Sequence, residues 1–232
     1  MDLFSSQAKR TYVIPDIHGR YDLLLSALDL ILRREAGRTQ SHRIVFTGDY
    51  IDRGPQSRQV VEHLRQGQMR GEPWILLMGN HEEMMILVDD GRIPAQGWLN
   101  VGGFDCMKSY EGHADMLLQH TAFLRALPSV YQDEHRIYVH ACVDEAKALA
   151  KQEPQVLRWG YFTGDTGFHG KHVVHGHDRT SGKPKLLKNR TNLDCGAVKN
   201  GKLVFGMFED DRPGGPVALL DVDARSRRGK TG

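Results

Sequence analysis

Thr47-Gly48-Asp49-Tyr50-Ile51-Asp52-Arg53-Gly54-Pro55 decides how this 232-residue chain is read. An apolar run, Ile44-Val45-Phe46, leads into it, and Pro55 opens what reads as a helix. A strand that runs into a glycine-bearing loop and then a helix is where open α/β sheets place their chemistry. The loop holds two carboxylates and one guanidinium within five residues. Two other stretches repeat the plan. Tyr12-Val13-Ile14 runs into Pro15-Asp16-Ile17-His18-Gly19, and Ile75-Leu76-Leu77-Met78 runs into Gly79-Asn80-His81-Glu82. Three strand ends, each tipped with Asp, His or Asn, point to one metal-binding rim.

Around these ends the pattern alternates. Strands are expected at Arg10–Ile14, Arg43–Phe46 and Trp74–Met78, and helices at Tyr21–Arg34, Pro55–Met69 and Glu82–Val88, from the helical spacing of residues such as Leu24, Leu28 and Ile31. This βαβαβα order argues for an α/β fold with parallel strands at its start. Asp89 to Pro128 breaks the alternation and reads as a helical insertion, with a tight turn at Gly102-Gly103 and a longer helix over Ala114–Leu127. The second half is richer in strands: Val130-Tyr131, Ile137–Val139, His172–Val174, Thr191–Leu193, Leu203–Phe208 and Val217–Leu220, with a helix over Asp144–Gln152. Residues 1–222 are expected to form one domain. Met1–Arg10 reads as a frayed lead-in, and the basic tail 223–232 as disordered.

Composition excludes several classes. Hydrophobic residues make up 40% and charged residues 26%, ordinary values for a globular domain. A net charge of +2 and no basic stripe argue against nucleic acid. No apolar run is long enough to span a bilayer. Cys106, Cys142 and Cys195 form no CxxC pair, and no apolar leader is read at the N-terminus, so a reducing cytoplasm is expected.

Asp16 and His18 are two apart, so in extended chain both face one side. Asp49 follows its strand in the same way. Asn80 offers a neutral oxygen and His81 an imidazole. His140 ends one apolar run, and His175-Gly176-His177 ends another. Any one of these is an ordinary polar residue; five such groups, each at the end of an apolar run, are not a coincidence. Imidazole, carboxylate and amide oxygen without paired thiolates suit Mn, with Fe, Zn or Ni as alternatives. Two such ions about 3.5–4 Å apart acidify a shared water and need a bridging carboxylate, for which Asp49 is the natural candidate. Arg53 has the fork that matches a phosphoryl group, or else sits in a surface salt bridge. His81 could protonate a leaving oxygen, with Asp52 fixing its tautomer. Met85 stands where a zincin helix would need its second histidine. Cys142, just after His140, reads as a buried structural thiol and not a nucleophile.

Taken together, Asp16-Ile17-His18-Gly19, Gly48-Asp49-Tyr50-Ile51-Asp52-Arg53-Gly54, Gly79-Asn80-His81-Glu82, His140-Ala141 and Gly176-His177 resemble the phosphoprotein phosphatase family of calcineurin-like metallophosphoesterases, in order and spacing. The resemblance spans Tyr12 to Phe208. It is nearest to small bacterial and phage enzymes of the lambda phosphatase type and to symmetrical dinucleoside tetraphosphatases. It implies two central mixed β-sheets flanked by helices. It assigns Asp16, His18 and Asp49 to a first metal and Asp49, Asn80, His140 and His177 to a second. His81 with Asp52 becomes the acid pair and Arg53 a phosphate clamp, with His175 behind the ligands. Two departures stand out. Cys142 replaces the family's usual glycine. The second phosphate-binding arginine, found after a tryptophan in relatives, is missing after Trp159, which leaves Arg158 or Tyr161 as substitutes, or a single clamp.

The expected activity is hydrolysis of phosphomonoesters on protein Ser, Thr or Tyr side chains by in-line attack of metal-activated water. The rival is a dinucleoside polyphosphate hydrolase. It would need a base slot in the insertion, where Trp98, Phe104 and Tyr110 are the aromatics and Arg92, Lys108 and Arg125 the cations. A non-catalytic binding module and a nucleic-acid esterase are minor alternatives. Oligomeric state is open.

Overall fold

Three parallel strands, β1 (Ala8–Ile14), β2 (Ser41–Phe46) and β3 (Trp74–Leu76), form one side of a five-stranded sheet in the computed structural model, which describes residues 8–224. The chain returns late to complete it. β9 (Lys202–Glu209) pairs antiparallel with β1, and β10 (Ala218–Asp223) with β9, giving the order β10-β9-β1-β2-β3. A second mixed sheet has the order β4-β5-β6-β8-β7, from β4 (Val130–Gln132), β5 (Arg136–Val139), β6 (His172–His175), β7 (Lys185–Leu186) and β8 (Arg190–Asn192). Within it β5, β6 and β8 are parallel.

Strand alternation explains how the sheets stack. Val13, Val45, Leu77, Tyr138, Val174, Leu193 and Phe208 form one buried cluster drawn from both sheets. Their neighbours point the other way, as period-2 side chains must. Tyr12, Ile14, Ile44 and Phe46 pack under α1 (Tyr21–Glu35), α2 (Ser57–Met69) and α3 (Asn80–Asp89). Ile137, Val139 and Val173 pack with Leu157 of α7 (Pro154–Trp159). The result is two sheets face to face with helices outside, as expected.

The insertion holds α4 (Ala95–Trp98), a π-type turn over Leu99–Gly103, α5 (Phe104–Ser109) and α6 (Ala114–Arg125). Gly102, at φ +126°, breaks the turn where the double glycine led us to expect one. A buried relay ties the insertion to the core. The Tyr110 hydroxyl lies 2.7 Å from His120 Nδ1, and His120 Nε2 lies 2.7 Å from a Glu62 carboxylate oxygen on α2. Because the carboxylate only accepts, Nε2 carries the hydrogen and Nδ1 accepts from the tyrosine.

Several boundaries differ from the sequence reading. No helix covers Asp144–Gln152; a single 3-10 turn at Leu149–Lys151 is all that forms. Gln152 explains this, because its amide bonds the Asp144 and Lys147 carbonyls and its oxygen takes the Asp144 N–H, closing a loop. The helix begins later, at Pro154, where a proline is favoured. Pro55 lies before α2, which starts at Ser57, and α3 starts two residues early, at Asn80. β7 and the short α8 (Ala197–Asn200) were not anticipated. Residues 8–10 of the expected lead-in belong to β1, and Asp223 of the expected tail pairs with Lys202. Ala224, also of the expected tail, donates to Gly201 O at 3.0 Å, and the remainder of the expected lead-in and tail, residues 1–7 and 225–232, lies outside the described residues.

Candidate active site

The carboxyl ends of β1, β2, β3, β5, β6 and β8 meet at one edge, and the loops leaving them carry the polar residues. Open α/β sheets bind ligands at this end. The loops are stitched to each other by backbone bonds: His18 N–H donates to Asp49 O at 2.9 Å, and Gly176 N–H to His140 O at 2.9 Å. Six non-glycine residues among those described have positive φ, and five lie here: His18, Asp49, Asp52, Arg53 and His177. Left-handed backbone at histidine and arginine is uncommon, and such strain gathers at functional sites.

Glu82 holds the loops in that shape. Its carboxylate accepts the backbone N–H groups of Asp49 and Tyr50 at 2.8 Å, Gly79 at 3.0 Å and Ile51 at 3.3 Å. Burial pushes its pKa up to about 7, and the four amides oppose that rise. Gly79 cannot be larger, because a Cβ there would run into the Asp49 side chain.

Asp49 sits at the centre. Its Oδ2 lies 3.4 Å from His18 Nε2 and 3.9 Å from His81 Nε2, and its Oδ1 lies 3.4 Å from His140 Nε2. His18, Asp49 and His81 offer donor atoms within 4.8 Å of one another, and so do Asp16, Asp49 and His140. Asp49 belongs to both trios, as a bridging carboxylate would. Asn80 Oδ1 lies 2.9 Å from His140 Nε2 and 3.2 Å from His177 Nδ1. Thus Asp16, His18, Asp49, Asn80, His140 and His177 come together. The trios set His81, and not Asp16, beside His18.

The donor chemistry fits divalent cations. His18 Nδ1 donates to Ile51 O at 2.8 Å and His140 Nδ1 to Thr47 O at 2.9 Å. A carbonyl only accepts, so in each neutral ring Nε2 is the bare nitrogen, turned inward. At His140 that bare nitrogen faces Asn80 Oδ1 and Asp49 Oδ1, a meeting of lone pairs that a cation would relieve. His177 Nε2 is buried without a partner. Charge points the same way. Burial pushes Asp16 and Asp49 well above the ordinary carboxylate range; Asp194 adds to the first, and Asp16 and Glu82 to the second. Burial likewise drives His18 and His140 well below the usual imidazole value, and His177 to about 4. Buried acids facing neutral imidazoles lack the positive charge that metal ions carry.

Beside these donors stands a hydrogen-bonded histidine–aspartate pair. His81 Nδ1 donates to Asp52 Oδ2 at 2.5 Å, and the same oxygen accepts the Trp98 indole N–H at 2.8 Å. Burial raises Asp52 to about 7 and lowers His81 well below its ordinary value, with Arg53 adding to the latter. Arg53 spreads across the mouth. Nη1 lies 2.5 Å from His18 Nε2 and Nη2 lies 2.8 Å from His81 Nε2. Its backbone N–H donates to Gly102 O at 3.1 Å, and Nε to Val101 O at 3.3 Å, so the insertion grips it.

The other candidates lie around this centre. Tyr161 is 65% exposed, with its ring centroid 4.9 Å from that of His177. Arg158 is engaged elsewhere: Nη1 pairs with Glu83 at 2.5 Å, and Nε and Nη2 donate to Ser129 Oγ. His175 Nε2 accepts from the buried Arg190 at 3.0 Å, and burial takes its pKa to about 3. Cys142 is buried, and burial raises its thiol pKa. Three contributors were missed. Glu82 was legible as a helix N3 acid once the helix start is put at Asn80. Asp194, buried and acting on Asp16, follows a strand as the other acids do. Trp98 has no local signal, since it lies 46 residues from Asp52.

Sheet edge, donor set and clamp together define a metal-dependent phosphoesterase. The chain belongs to the calcineurin-like phosphoesterase family, which matches residues 9–205. It is a hydrolase of the phosphatase class. It is 34% identical to serine/threonine-protein phosphatase 2 of Escherichia coli over 222 residues, covering 85% of this chain and 92% of that protein. It is 28% identical to a symmetrical bis(5'-nucleosyl)-tetraphosphatase of Methylobacillus flagellatus, over 64% of this chain and 50% of that one. A protein serine/threonine phosphatase structure from Saccharomyces cerevisiae shares the fold, with a TM-score of 0.61 at 16% identity, over 94% of this chain and 80% of that one.

Proposed function

We propose that this protein removes phosphoryl groups from phosphorylated side chains, with phosphoserine and phosphothreonine preferred over phosphotyrosine. The observation that carries this reading is the guanidinium fork of Arg53, whose two terminal nitrogens lie against His18 Nε2 and His81 Nε2; such a fork matches the oxygens of a phosphoryl group. The insertion supports it. Trp98 and Tyr110, two of the three aromatics a nucleotide base would need, are 4% and 3% exposed, and only Phe104 is open at 67%. The E. coli relative, named a serine/threonine phosphatase, is matched along nearly its whole length. The tetraphosphatase relative supports the rival reading over half of its own length.

In this reading Asp16, His18 and Asp49 hold one divalent cation, and Asp49, Asn80, His140 and His177 the other, with Mn the proposed ion. The pair supplies Lewis acidity to the phosphoryl oxygens and acidity to water. Arg53 binds the equatorial oxygens, giving up its contacts with the two imidazoles. A phosphate dianion then faces His81 Nε2 and favours a proton there, which His81 donates to the departing oxygen. Asp52 keeps the ring oriented through Nδ1. Tyr161, beside His177, would touch substrate, and Arg158, held by Glu83 and Ser129, takes no part in the clamp. We place the protein in the cytoplasm, consistent with its three free, buried cysteines. Residues 1–222 act as one domain, with residues 89–128 inserted.

The test is turnover of a phosphopeptide panel against diadenosine tetraphosphate with Mn²⁺, for wild type and His81→Asn. Faster phosphopeptide hydrolysis, lost in the variant, is expected. Faster nucleotide cleavage overturns the reading.

A further inference from the structure

We propose that Trp98, from the insertion, is a positioning residue for proton donation: its indole N–H pins the Asp52 carboxylate so that one oxygen holds His81. The inference rests on the reading of His81 as the proton donor. Asp52 Oδ2 accepts two donors, the indole at 2.8 Å and His81 Nδ1 at 2.5 Å, while Oδ1 is buried with no hydrogen-bond partner. All three side chains are buried, so water does not substitute for the indole. A carboxylate held by the imidazole, with only the weak donor of the Cys106 thiol beside it, could rotate and present its other oxygen; the indole selects Oδ2 and fixes the plane.

The seat for the indole is built for it. A Cβ at Gly103 would come within 2.6 Å of Trp98 Cδ2 and Cε2, so the turn passes under the ring only as glycine. Trp98 directly precedes the turn whose Val101 and Gly102 carbonyls hold Arg53. One short segment therefore aims both the phosphate clamp and the acid pair. As the oxygen of the attacking water bonds to phosphorus and the bond from phosphorus to the leaving oxygen breaks, that bond's electron pair stays on the leaving oxygen, which takes the proton from His81 Nε2. Nδ1–H remains bonded to Asp52 throughout, so the accuracy of that bond governs where Nε2 points.

This predicts a dependence on the leaving group. p-Nitrophenolate departs without a proton, whereas phenolate benefits from one, and the two phosphate esters are close in size. For Trp98→Phe, kcat on phenyl phosphate should fall about tenfold and kcat on p-nitrophenyl phosphate less than about twofold, the loss of a hydrogen bond to a charged group felt only where the acid acts. Benzothienylalanine at position 98 keeps the ring and replaces N–H by sulfur; it should behave in the same way with an unchanged thermal midpoint, which meets the case in which the phenylalanine variant does not fold. His81→Asn serves as the reference and should show the same pattern more strongly. If His81→Asn discriminates between the two esters and neither Trp98 variant does, the inference is overturned alone. If His81→Asn does not discriminate, the proton-donor reading falls and the inference with it.

Discussion

The strand-end rim and the helical insertion build one site by opposite means. The rim gathers its candidate ligand atoms from five strand ends, with His18, Asp49 and His177 on left-handed backbone, and each candidate lies within a few residues of its strand. The insertion supplies no ligand. It acts through two carbonyls and one indole, which set Arg53 and Asp52 from the outside. Chemistry and aim are thus encoded in different parts of the chain, and damage to each should read out differently.

The largest effect belongs to the rim. Asp49→Asn removes the carboxylate shared by both trios; outer partners of metal ligands typically cost 10–100-fold, so a ligand common to two sites should cost more than about a hundredfold. Metal content measured beside turnover should fall with it, and a variant that keeps both would break the comparison. Next comes His81→Asn, expected to lower kcat about a hundredfold while bound metal is retained, because it removes the proposed proton donor and leaves the proposed ligands.

A change in the insertion should look different again. Gly102→Ala places a Cβ 2.6 Å from Arg53 Cγ and 2.7 Å from its backbone nitrogen, at φ +126°. Shifting the clamp should weaken inhibition by inorganic phosphate about tenfold, with metal content unchanged, as expected for about 1–3 kcal/mol of local strain. Equal loss of metal would erase the distinction between the two regions.

The smallest effect concerns how the insertion is anchored. Glu62, bonded by Arg65 and by His120, has its pKa lowered to about 2 from 4.5. A depressed carboxylate contributes stability above its unfolded pKa, and that contribution is lost as pH falls through the folded value. Glu62→Gln should therefore cost about 1 kcal/mol near neutrality, and the gap between the urea midpoints of wild type and variant should narrow from about pH 4.5 downward. A gap independent of pH would show that the carboxylate's charge plays no part in holding the insertion down.

The contrast between the regions also explains what could be read in advance. The placing of the rim was legible because each candidate ligand follows an apolar strand, so the local pattern brings Asp16, Asp49, Asn80 and His140 to one edge. The two-sheet architecture followed from the resemblance, and the parallel start from alternation alone. Pattern failed where a side chain overrode propensity, as at Gln152, whose bonds to Asp144 and Lys147 replaced an expected helix with a loop. It failed too for partners distant in sequence. Trp98 reads as one more aromatic until its indole is seen on Asp52, and Arg158 reads as a clamp until its guanidinium is seen on Glu83 and Ser129. A long-range hydrogen bond leaves no period in a sequence.

Glu82 has one further consequence. Its four bonds to the amides of Asp49, Tyr50, Ile51 and Gly79 shape the ligand loops from the protein side alone. A single carboxylate is thus the keystone of the mouth, and the loops it joins stand or fall together.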